Sequence, residues 1–296
     1  MPSQIKNKMK REEVYHKLKS LKNKEKLKRR LLRKKLEKEC EDPSLLPEKE
    51  KPKTQETKRE HDETIVDPAD EEVLQDEEQD EFADYFSGKP PKIIVTTSKR
   101  PSKNVYLFSE ELSDVLPNAE LRRRENFDID EIMKVAIEND YTDIIVVNED
   151  KKEPNALLLI HLPYGPTAFF RLKSIRSGKS IKGHGRSTGH YPELILNNFN
   201  TRLGHTIGRM FASIFPQMPD FKGRQAVTLH NQRDFIFFRR HRYIFDSDKK
   251  VSLQEIGPRF TLKLKWLQKG LFNPKSGEYE WYHKPDLDTS RVRFFL

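Results

Sequence analysis

The stretch Val251–Leu271, VSLQEIGPRFTLKLKWLQKGL, constrains the fold more than any other part of this sequence. Gly257-Pro258 fixes the backbone at its centre, because proline locks its own φ and holds the preceding residue in an extended form. Beyond it, apolar and polar residues alternate: Phe260, Leu262, Leu264 and Trp266 fall on one face, and Arg259, Thr261, Lys263 and Lys265 on the other. The alternation predicts a strand with one face on a core and a cationic face turned outward.

The cationic face of this strand allows two interpretations. A row of Arg and Lys side chains on an exposed face suits contact with a polyanion such as RNA. The same row is typical of an edge strand whose lysines keep it soluble and prevent it from pairing with other chains. The alternation alone does not choose between them.

A resemblance to a known family lies in the same stretch. The segment Glu255–Leu264, EIGPRFTLKL, resembles the signature near the end of the Brix domain, which is found in eukaryotic ribosome-assembly factors. The run Leu267–Leu296 is also similar to this family, and the likeness extends over roughly Lys92–Leu296 and more loosely over the basic N-terminus. The resemblance implies an α/β fold of two similar halves, each related to the anticodon-binding domain of some tRNA synthetases.

The resemblance also implies a function. Similarity to the large-subunit members of the family implies a non-catalytic factor that binds precursor rRNA in the nucleolus of the nucleus and supports rRNA processing during 60S assembly. It implies a dedicated protein partner among the pre-60S factors and no cofactor. It extends the expected RNA contacts over the signature stretch: Gln254, Glu255, Gly257, Pro258, Arg259, Phe260, Lys263, Lys265 and Lys269.

Composition limits the other classes of protein. Of 296 residues, 34% are hydrophobic and 35% are charged, so we expect part of the chain to lie outside any core. The single cysteine, Cys40, excludes an intramolecular disulfide and a zinc site built from cysteines. No apolar run approaches the roughly 18–20 residues of a membrane helix, and Met1–Lys10 is unlike a secretory signal, so we expect no membrane contact.

The formal net charge of +9 is unevenly distributed along the chain. Residues 1–40 contain 16 Lys and Arg against 5 Asp and Glu, whereas residues 41–85 contain 5 against 18. Residues 86–164 contain 11 against 14, and residues 165–296 contain 24 against 10. This asymmetry is typical of a chain that meets a polyanion, and it places the basic surface in the second half of the folded region.

Three segments flank the expected domain. Residues 1–40 are interpreted as a basic helical arm, and one tract can serve at different times as an import signal in Leu27–Lys35 and as an arm that binds RNA. Residues 41–88 contain four prolines and the acidic run Asp70–Glu81, which predicts a disordered linker that either spaces the parts or screens their basic surfaces. Residues 273–296 are too aromatic for a free tail, so we expect them to dock on the domain or on a partner.

Residues 89–272 show a repeated order of predicted strands and helices. The first half, about 89–175, starts with a strand and a helix and ends in a hairpin around Pro163–Pro166. The second half, about 190–272, starts with strand Glu193–Phe199 and helix Thr201–Phe215 and continues in strands. Alternating strands and helices predict α/β layers with a mixed sheet in each half.

The loop Pro166–Pro192 between the halves has no Asp or Glu and contains four glycines. Gly178–Ser180 invites comparison with a P-loop, but Lys173 stands where that motif requires its first glycine. The nearby histidines fit no metal-binding pattern, so we expect neither a nucleotide cofactor nor a metal. Six basic residues between Pro166 and Pro192 are candidate phosphate contacts: Arg171, Lys173, Arg176, Lys179, Lys182 and Arg186.

Aromatic and basic residues interleave in the run DFIFFRRHRYIF, which begins at Asp234. The run contains three arginines that either decorate a turn or contact RNA, and we favour RNA contact: Arg239, Arg240 and Arg242. The rings of Phe235 and Phe237 are either stacking platforms for unpaired bases or core residues, and we favour the core.

No catalytic pattern accompanies these basic residues. The sequence has neither a G-x-S-x-G elbow nor a plausible pair of carboxylates, so it does not support an enzyme. The prediction is therefore an α/β protein that binds RNA without catalysis. The alternative is an interaction scaffold within pre-ribosomes that makes little direct contact with RNA.

Overall fold

A computed structural model describes residues 5–39, 54, 59–60, 62–67, 70–86, 88, 90–247, 250–286 and 293–296, without the side chains of residues 37–39 and 84. The chain forms two compact units, residues 1–54 and 55–296. The first unit contains helix α1 (Lys8–Glu39), at the place where the sequence predicts a helical arm. Residues 41–53 of the predicted linker lie outside the described residues.

The second unit is built around one sheet of eleven strands. In chain order its first elements are α2 (Glu71–Gln79), α3 (Ala83–Phe86), β1 (Ile93–Thr97), α4 (Lys103–Val115), β2 (Ala119–Leu121), α5 (Ile129–Glu138), β3 (Asp143–Asp150), β4 (Glu153–His161) and β5 (Thr167–Arg176). The remaining elements are β6 (Glu193–Asn197), α6 (Arg202–Ser213), β7 (Gln225–Gln232), β8 (Phe235–Ser247), β9 (Lys250–Glu255), β10 (Arg259–Gln268) and β11 (Tyr279–Tyr282).

The strand order β2-β1-β3-β4-β5-β10-β8-β7-β6 confirms two similar α/β halves. In the first half β1 runs parallel to β3, and β3, β4 and β5 then form an antiparallel series. In the second half β6 runs parallel to β7, and β7, β8 and β10 form the matching series. The last strands of the two halves, β5 and β10, pair with each other. Each half therefore has the mixed strand directions that the sequence predicts, and this pairing joins the two halves into one continuous sheet.

Two hydrophobic clusters cover different parts of this sheet. The larger one lies on the face where α4 and α6 pack, and it runs through both halves. The smaller one lies on the opposite face, where Met133 and Ala136 of α5 cover β1, β3 and β4 of the first half. Local signals position α5: Asp128 and Glu131 form a reciprocal capping box at its start.

Strand β10 lies in the middle of the sheet, so the interpretation of its lysines as protection for an edge strand is wrong. Phe260, Leu262 and Leu264 are buried in the larger cluster as predicted, but Trp266 is not. The pairing of β10 with β5 shifts register between Leu264 and Trp266. The extra residue of such a bulge reverses the alternation, so Trp266 packs in the smaller cluster and stacks on Phe169 at 5.3 Å between ring centroids.

Part of the predicted acidic linker is folded onto the second unit. Phe82, which is 1% exposed, belongs to the larger cluster, and Tyr85 is buried beside His161 with ring centroids 4.1 Å apart. Because burying these two rings stabilises the ordered state, the expectation of disorder does not hold for this segment. Helix α2 itself has no buried residue.

The aromatic tail contacts the same unit in its described parts. β11 pairs with β10, and the carboxylate of Asp234 accepts hydrogen bonds from the amides of Phe295 and Leu296 at 2.8 and 2.9 Å. Burial raises the pKa of Asp234 despite these bonds. Among the helices that the structure describes, none has the length and apolar character to cross a bilayer.

Candidate nucleic-acid interface

One region of the sheet is covered by neither hydrophobic cluster. It consists of the second part of β5, the first part of β10 and β8, on the face opposite α4 and α6. We call it the open face and define it by its exposed or half-buried side chains: Arg171, Lys173, Arg176, Phe235, Phe237, Arg239, Arg259 and Lys263.

The strand register brings these side chains together. Lys263 lies opposite Arg171, and Arg259 lies opposite Arg176. A second register shift, at Ser174 with φ of +53°, places an extra residue on β5 and keeps Arg176 on the same face as Lys173. On the other side of β10, Phe237 lies opposite Thr261. Cations from two distant segments of the chain therefore form one surface.

This surface concentrates like charge. Side chains directly opposite each other on adjacent strands lie about 4.5–5.5 Å apart at Cβ, and like charges at that spacing destabilise the pair. Glu255 offsets part of the charge, since the guanidinium of Arg259 donates to its carboxylate, with a distance of 2.8 Å from Nε to Oε1. That ion pair lowers the pKa of Glu255. A bound polyanion would offset more.

Two phenylalanine rings lie among these cations. The ring of Phe235 has the ammonium groups of Lys173 and Lys263 at 5.5 and 5.4 Å from its centroid. The ring of Phe237 has the guanidinium of Arg239 at 5.7 Å. All three distances fit cation–π contacts. The prediction that these two rings lie in the core is wrong, because β8 alternates and it is Ile236 and Phe238 that face the larger cluster.

The same alternation buries Arg240, which was expected to contact RNA. It is 2% exposed, and its guanidinium donates to Oε1 of Gln225 at 2.7 and 3.1 Å and to Oγ of Ser187 at 2.8 Å. Burial lowers its pKa. Arg239 is half-buried and Arg242 is exposed. All three arginines lie within the long strand β8 and not on a turn.

The loop between β5 and β6, residues 177–192, packs against the signature stretch, and we call it the basic loop. A Cβ at Gly257, whose φ is +85°, would lie 2.5 Å from Cα of Gly178, so these two segments can approach only as glycines. The amide of Gly185 donates to the carbonyl of Glu255 at 2.8 Å, and Gln254 donates to the carbonyl of Gly183 at 3.3 Å. This contact places the exposed cations Lys179, Lys182 and Arg186 beside Gln254 and Glu255.

Three further residues of the signature are buried. Gly257 and Pro258 lie under the basic loop, and Phe260 is stacked on Phe238 at 4.3 Å between ring centroids. We assign these positions to the fold, since a buried side chain offers no surface to RNA. Lys265 and Lys269 lie at the far end of β10 beside β11, where Lys269 pairs with Glu278 at 3.4 Å.

The Brix domain profile matches residues 98–266, more than half of the chain. This chain belongs to the Brix family. Ribosome production factor 1 of Pongo abelii is 54% identical over 298 residues, which cover 99% of this chain and 84% of that protein. Ribosome production factor 1 of Saccharomyces cerevisiae is 48% identical over 299 residues, covering 99% and 97%.

Among solved structures, a probable ribosomal biogenesis protein from Aeropyrum pernix K1 aligns with a TM-score of 0.46 and 18% identity. The alignment covers 66% of this chain and 99% of that one. The family assignment rests on the sequence matches.

Sequence reasoning missed one residue of the open face of this Brix domain. His241 is half-buried and continues the row of Phe237 and Arg239 along β8. Burial lowers its pKa, while the carboxylate of Glu255 across the β8–β9 pair acts in the opposite direction. Strict alternation from Phe235 would have indicated His241, had the strand been extended through residues 240–242.

The described residues of the Brix protein contain no group of three or more His, Cys, Asp or Glu that could hold a metal ion. His205 instead contacts Glu77, with 3.2 Å between Nδ1 and Oε1. Asp143 is buried against Nδ1 of His161 at 2.6 Å. Gly178–Ser180 forms a short 3₁₀ turn, and Gly178 packs so closely on Ile256 that a Cβ there would lie 2.6 Å from the carbonyl oxygen of Ile256.

Proposed function

We propose that this Brix protein is a non-catalytic RNA-binding assembly factor of the large ribosomal subunit. It binds precursor rRNA in the nucleolus, supports rRNA processing and acts with a dedicated protein partner in pre-60S particles. The names of its relatives, ribosome production factor 1, support the assignment to ribosome production. The open face supports the assignment to RNA.

The observation that carries the proposal is the position of Phe235 and Phe237 among cations on an uncovered sheet. Bases have π-faces that stack on aromatic rings whatever the sequence, and Lys or Arg beside the ring neutralises the adjacent phosphates. Lys173, Lys263 and Arg239 have this position here. The open face therefore suits unpaired rRNA, whose bases can splay out, better than a duplex, whose bases are stacked away.

The basic loop extends the same surface. Lys179, Lys182 and Arg186 lie on a segment that is anchored to the end of β9 and the turn before β10, so they approach a bound strand at a fixed place. Phosphate contacts of this kind position an RNA without reading its sequence. Gly257 of the signature thus serves binding indirectly, because it anchors the loop at Gly178.

A specific feature supports a protein partner as well. The hairpin of β8 and β9 exposes a cluster of large apolar side chains, and Phe245 and Leu253 are 67% and 64% exposed. Exposed apolar patches commonly mark protein contacts. If this hairpin were the main functional surface, the protein would be the alternative, a scaffold with little RNA contact.

Binding of the full-length protein to an unpaired rRNA oligonucleotide at several salt concentrations tests the proposal. We expect log K to fall linearly with log salt, with a slope of about −0.7 for each phosphate contacted. In cells, ultraviolet crosslinking should recover precursor rRNA of the large subunit. A flat salt response together with no crosslinked rRNA would reject RNA binding and favour the scaffold.

A further inference from the structure

A second basic site lies in the first half of the fold, apart from the residues of the open face. Residues 86–164 have more acidic than basic residues, 14 against 11. Six of those 11 cations are nevertheless confined to two short segments that follow β1 and β2: Lys99, Arg100, Lys103, Arg122, Arg123 and Arg124. Such concentration within an acidic region is a local feature and does not follow from the overall charge.

These segments line a groove of about 520 Å³. Arg100, Lys103 and Arg122 to Arg124 lie along it, with Glu110 and Glu125 as the acidic residues of the lining. We call it the arginine groove. Lys99 pairs with Asp128 at 2.7 Å and Arg122 pairs with Glu120 at 2.5 Å. Within the described part of the chain, Arg100, Lys103 and Arg123 form no ion pair.

The topology places the arginine groove where α/β sheets bind ligands. β1 is parallel to both neighbours, β2 and β3. The connection from β1 to β2 contains α4, which packs on one face of the sheet, and the connection from β2 to β3 contains α5, which packs on the other. Ligands of open α/β sheets bind outside the carboxyl ends of the strands at such a switch point. Thr97 and Leu121, the last residues of β1 and β2, line the groove.

The groove also holds an aromatic ring. Tyr106 lines it, and the guanidinium of Arg123 lies 5.7 Å from the centroid of that ring. Arg124 is fixed by a hydrogen bond from its Nε to the carbonyl of Phe127 at 3.1 Å, and burial lowers its pKa. A ring beside arginines matches a nucleotide, with its base on the ring and its phosphate on the cations.

We propose that the arginine groove binds a nucleotide of unpaired RNA, as a second site separate from the open face. This inference rests on the proposed function, because the ligand is RNA. A protein with one RNA site at the groove and another on the open face can hold two segments of a precursor at a distance fixed by its single sheet. A free mononucleotide would present the same phosphate chemistry, so the test includes it.

The experiment uses the full-length protein and a single-stranded uridine oligonucleotide long enough to reach both sites. The groove variant is Lys103→Gln with Arg123→Gln, two exposed positions whose loss should leave the fold intact. The control is Lys134→Gln with Lys151→Asn, which removes the same charge from exposed positions of the same half outside the groove. The open-face comparison is Phe237→Ala. Thermal melting verifies that all three variants fold.

If the groove binds RNA, its variant shows a log K against log salt slope that is smaller by about 1.4, for two lost phosphate contacts, while the control keeps the wild-type slope. Ultraviolet crosslinking then recovers RNA on Tyr106 in the wild type. Binding of uridine monophosphate that competes with the oligonucleotide at the groove supports the same nucleotide chemistry.

Three outcomes overturn the inference. If Phe237→Ala weakens RNA binding but the groove variant binds like its control, the proposed function stands and the groove is not an RNA site. If a glutamate-rich peptide binds the wild type, loses affinity for the groove variant and leaves RNA binding unchanged, the groove is a peptide site. Absence of RNA binding by the wild-type protein would reject both the groove and the proposed function.

Discussion

The two halves of the sheet have the same order of strands but differ in what covers their second face. In the first half α5 packs on β1, β3 and β4, so both faces of these strands are buried. In the second half the single helix α6 packs with the larger cluster, and the opposite face of β8 carries Phe235, Phe237 and Arg239. The described second half has no α-helix comparable to α5, and the face that such a helix would cover is the candidate interface.

This difference shows how one repeat can supply both a scaffold and a binding surface. A strand covered on two faces needs apolar residues throughout, as in Ile144, Ile145, Val146 and Val147 of β3, all buried. A strand covered on one face must alternate, and its outward residues are free to serve function. Neighbouring residues of β8, such as Phe237 and Phe238, therefore have different roles.

The largest expected effect is a difference in unfolding free energy between alanine variants of Phe237 and Phe238. Phe238→Ala removes a side chain that is 4% exposed and stacked on Phe260, so it should cost roughly 3–5 kcal/mol of unfolding free energy. Phe237→Ala should cost much less stability but weaken binding of unpaired RNA by about 1–3 kcal/mol. Chemical denaturation and RNA titration of both variants measure the contrast. Similar losses of stability for both would show that the second face is not open.

The next effect concerns the cations of β5. Arg171→Glu with Lys173→Glu changes two exposed side chains of the open face. RNA affinity at physiological salt should fall by at least about tenfold, and the slope of log K against log salt should shrink by about 1.4. Lys151→Glu with Lys152→Glu, in the turn between β3 and β4 of the first half, is the matched control. Equal RNA affinity for the two double variants would refute a specific basic face.

A smaller effect concerns α2, whose acidic side chains form ion pairs with Arg202 and Arg209 of α6. The guanidinium of Arg209 donates to Asp80 Oδ1 at 2.8 Å and to the carbonyl of Glu77 at 2.7 Å. Glu77→Gln with Asp80→Asn should free Arg209 and strengthen RNA binding a few-fold at low salt. Screening over about 8 Å should remove the gain near physiological salt.

The charge-matched control for α2 is Glu71→Gln with Glu72→Gln. These residues lie in the first turn of the same helix, and the structure records no ion pair for either within the described residues. If α2 weakens RNA binding through its direct ion pairs with Arg209, only Glu77→Gln with Asp80→Asn changes RNA affinity. An equal gain from both would mean that the acidic segment acts by net charge alone.

The smallest effect is the pH dependence of His241. Burial lowers its pKa from the ordinary value of 6.5, so the neutral form prevails in the free protein at pH 7. A phosphate bound at the open face would raise that pKa, and binding would take up a proton. RNA affinity should therefore increase a few-fold from pH 7.5 to pH 6.0, with no such increase in His241→Gln. The lowered pKa also predicts that stability falls as pH drops below 6.5, where the unfolded chain gains its proton first.

Much of the fold could be predicted from the sequence. The alternation after Gly257-Pro258 identified β10 and its buried residues Phe260, Leu262 and Leu264, because a strand with one face on a core leaves a period of two. The hairpin of β4 and β5 and the helices α4, α5 and α6 followed from periodicity and capping residues. The candidate phosphate contacts on β5 and on the basic loop followed from charge alone and remain predictions.

Tertiary structure decided which strands pair and which faces are covered, because the local sequence pattern carries no information about distant partners. The pairing of β5 with β10 joins residues about ninety positions apart, and it alone turned a presumed edge into the centre of the sheet. The bulge after Leu264 moved Trp266 to the other face, and a bulge is set by the partner strand as much as by its own residues. Phe235 and Phe237 are surface residues because no helix covers them in the described fold, whereas the apolar residues of β3 are buried on both faces. The acidic composition of residues 70–86 predicted disorder. Phe82 is nevertheless buried in the larger cluster, at a position that exists only once the sheet is assembled.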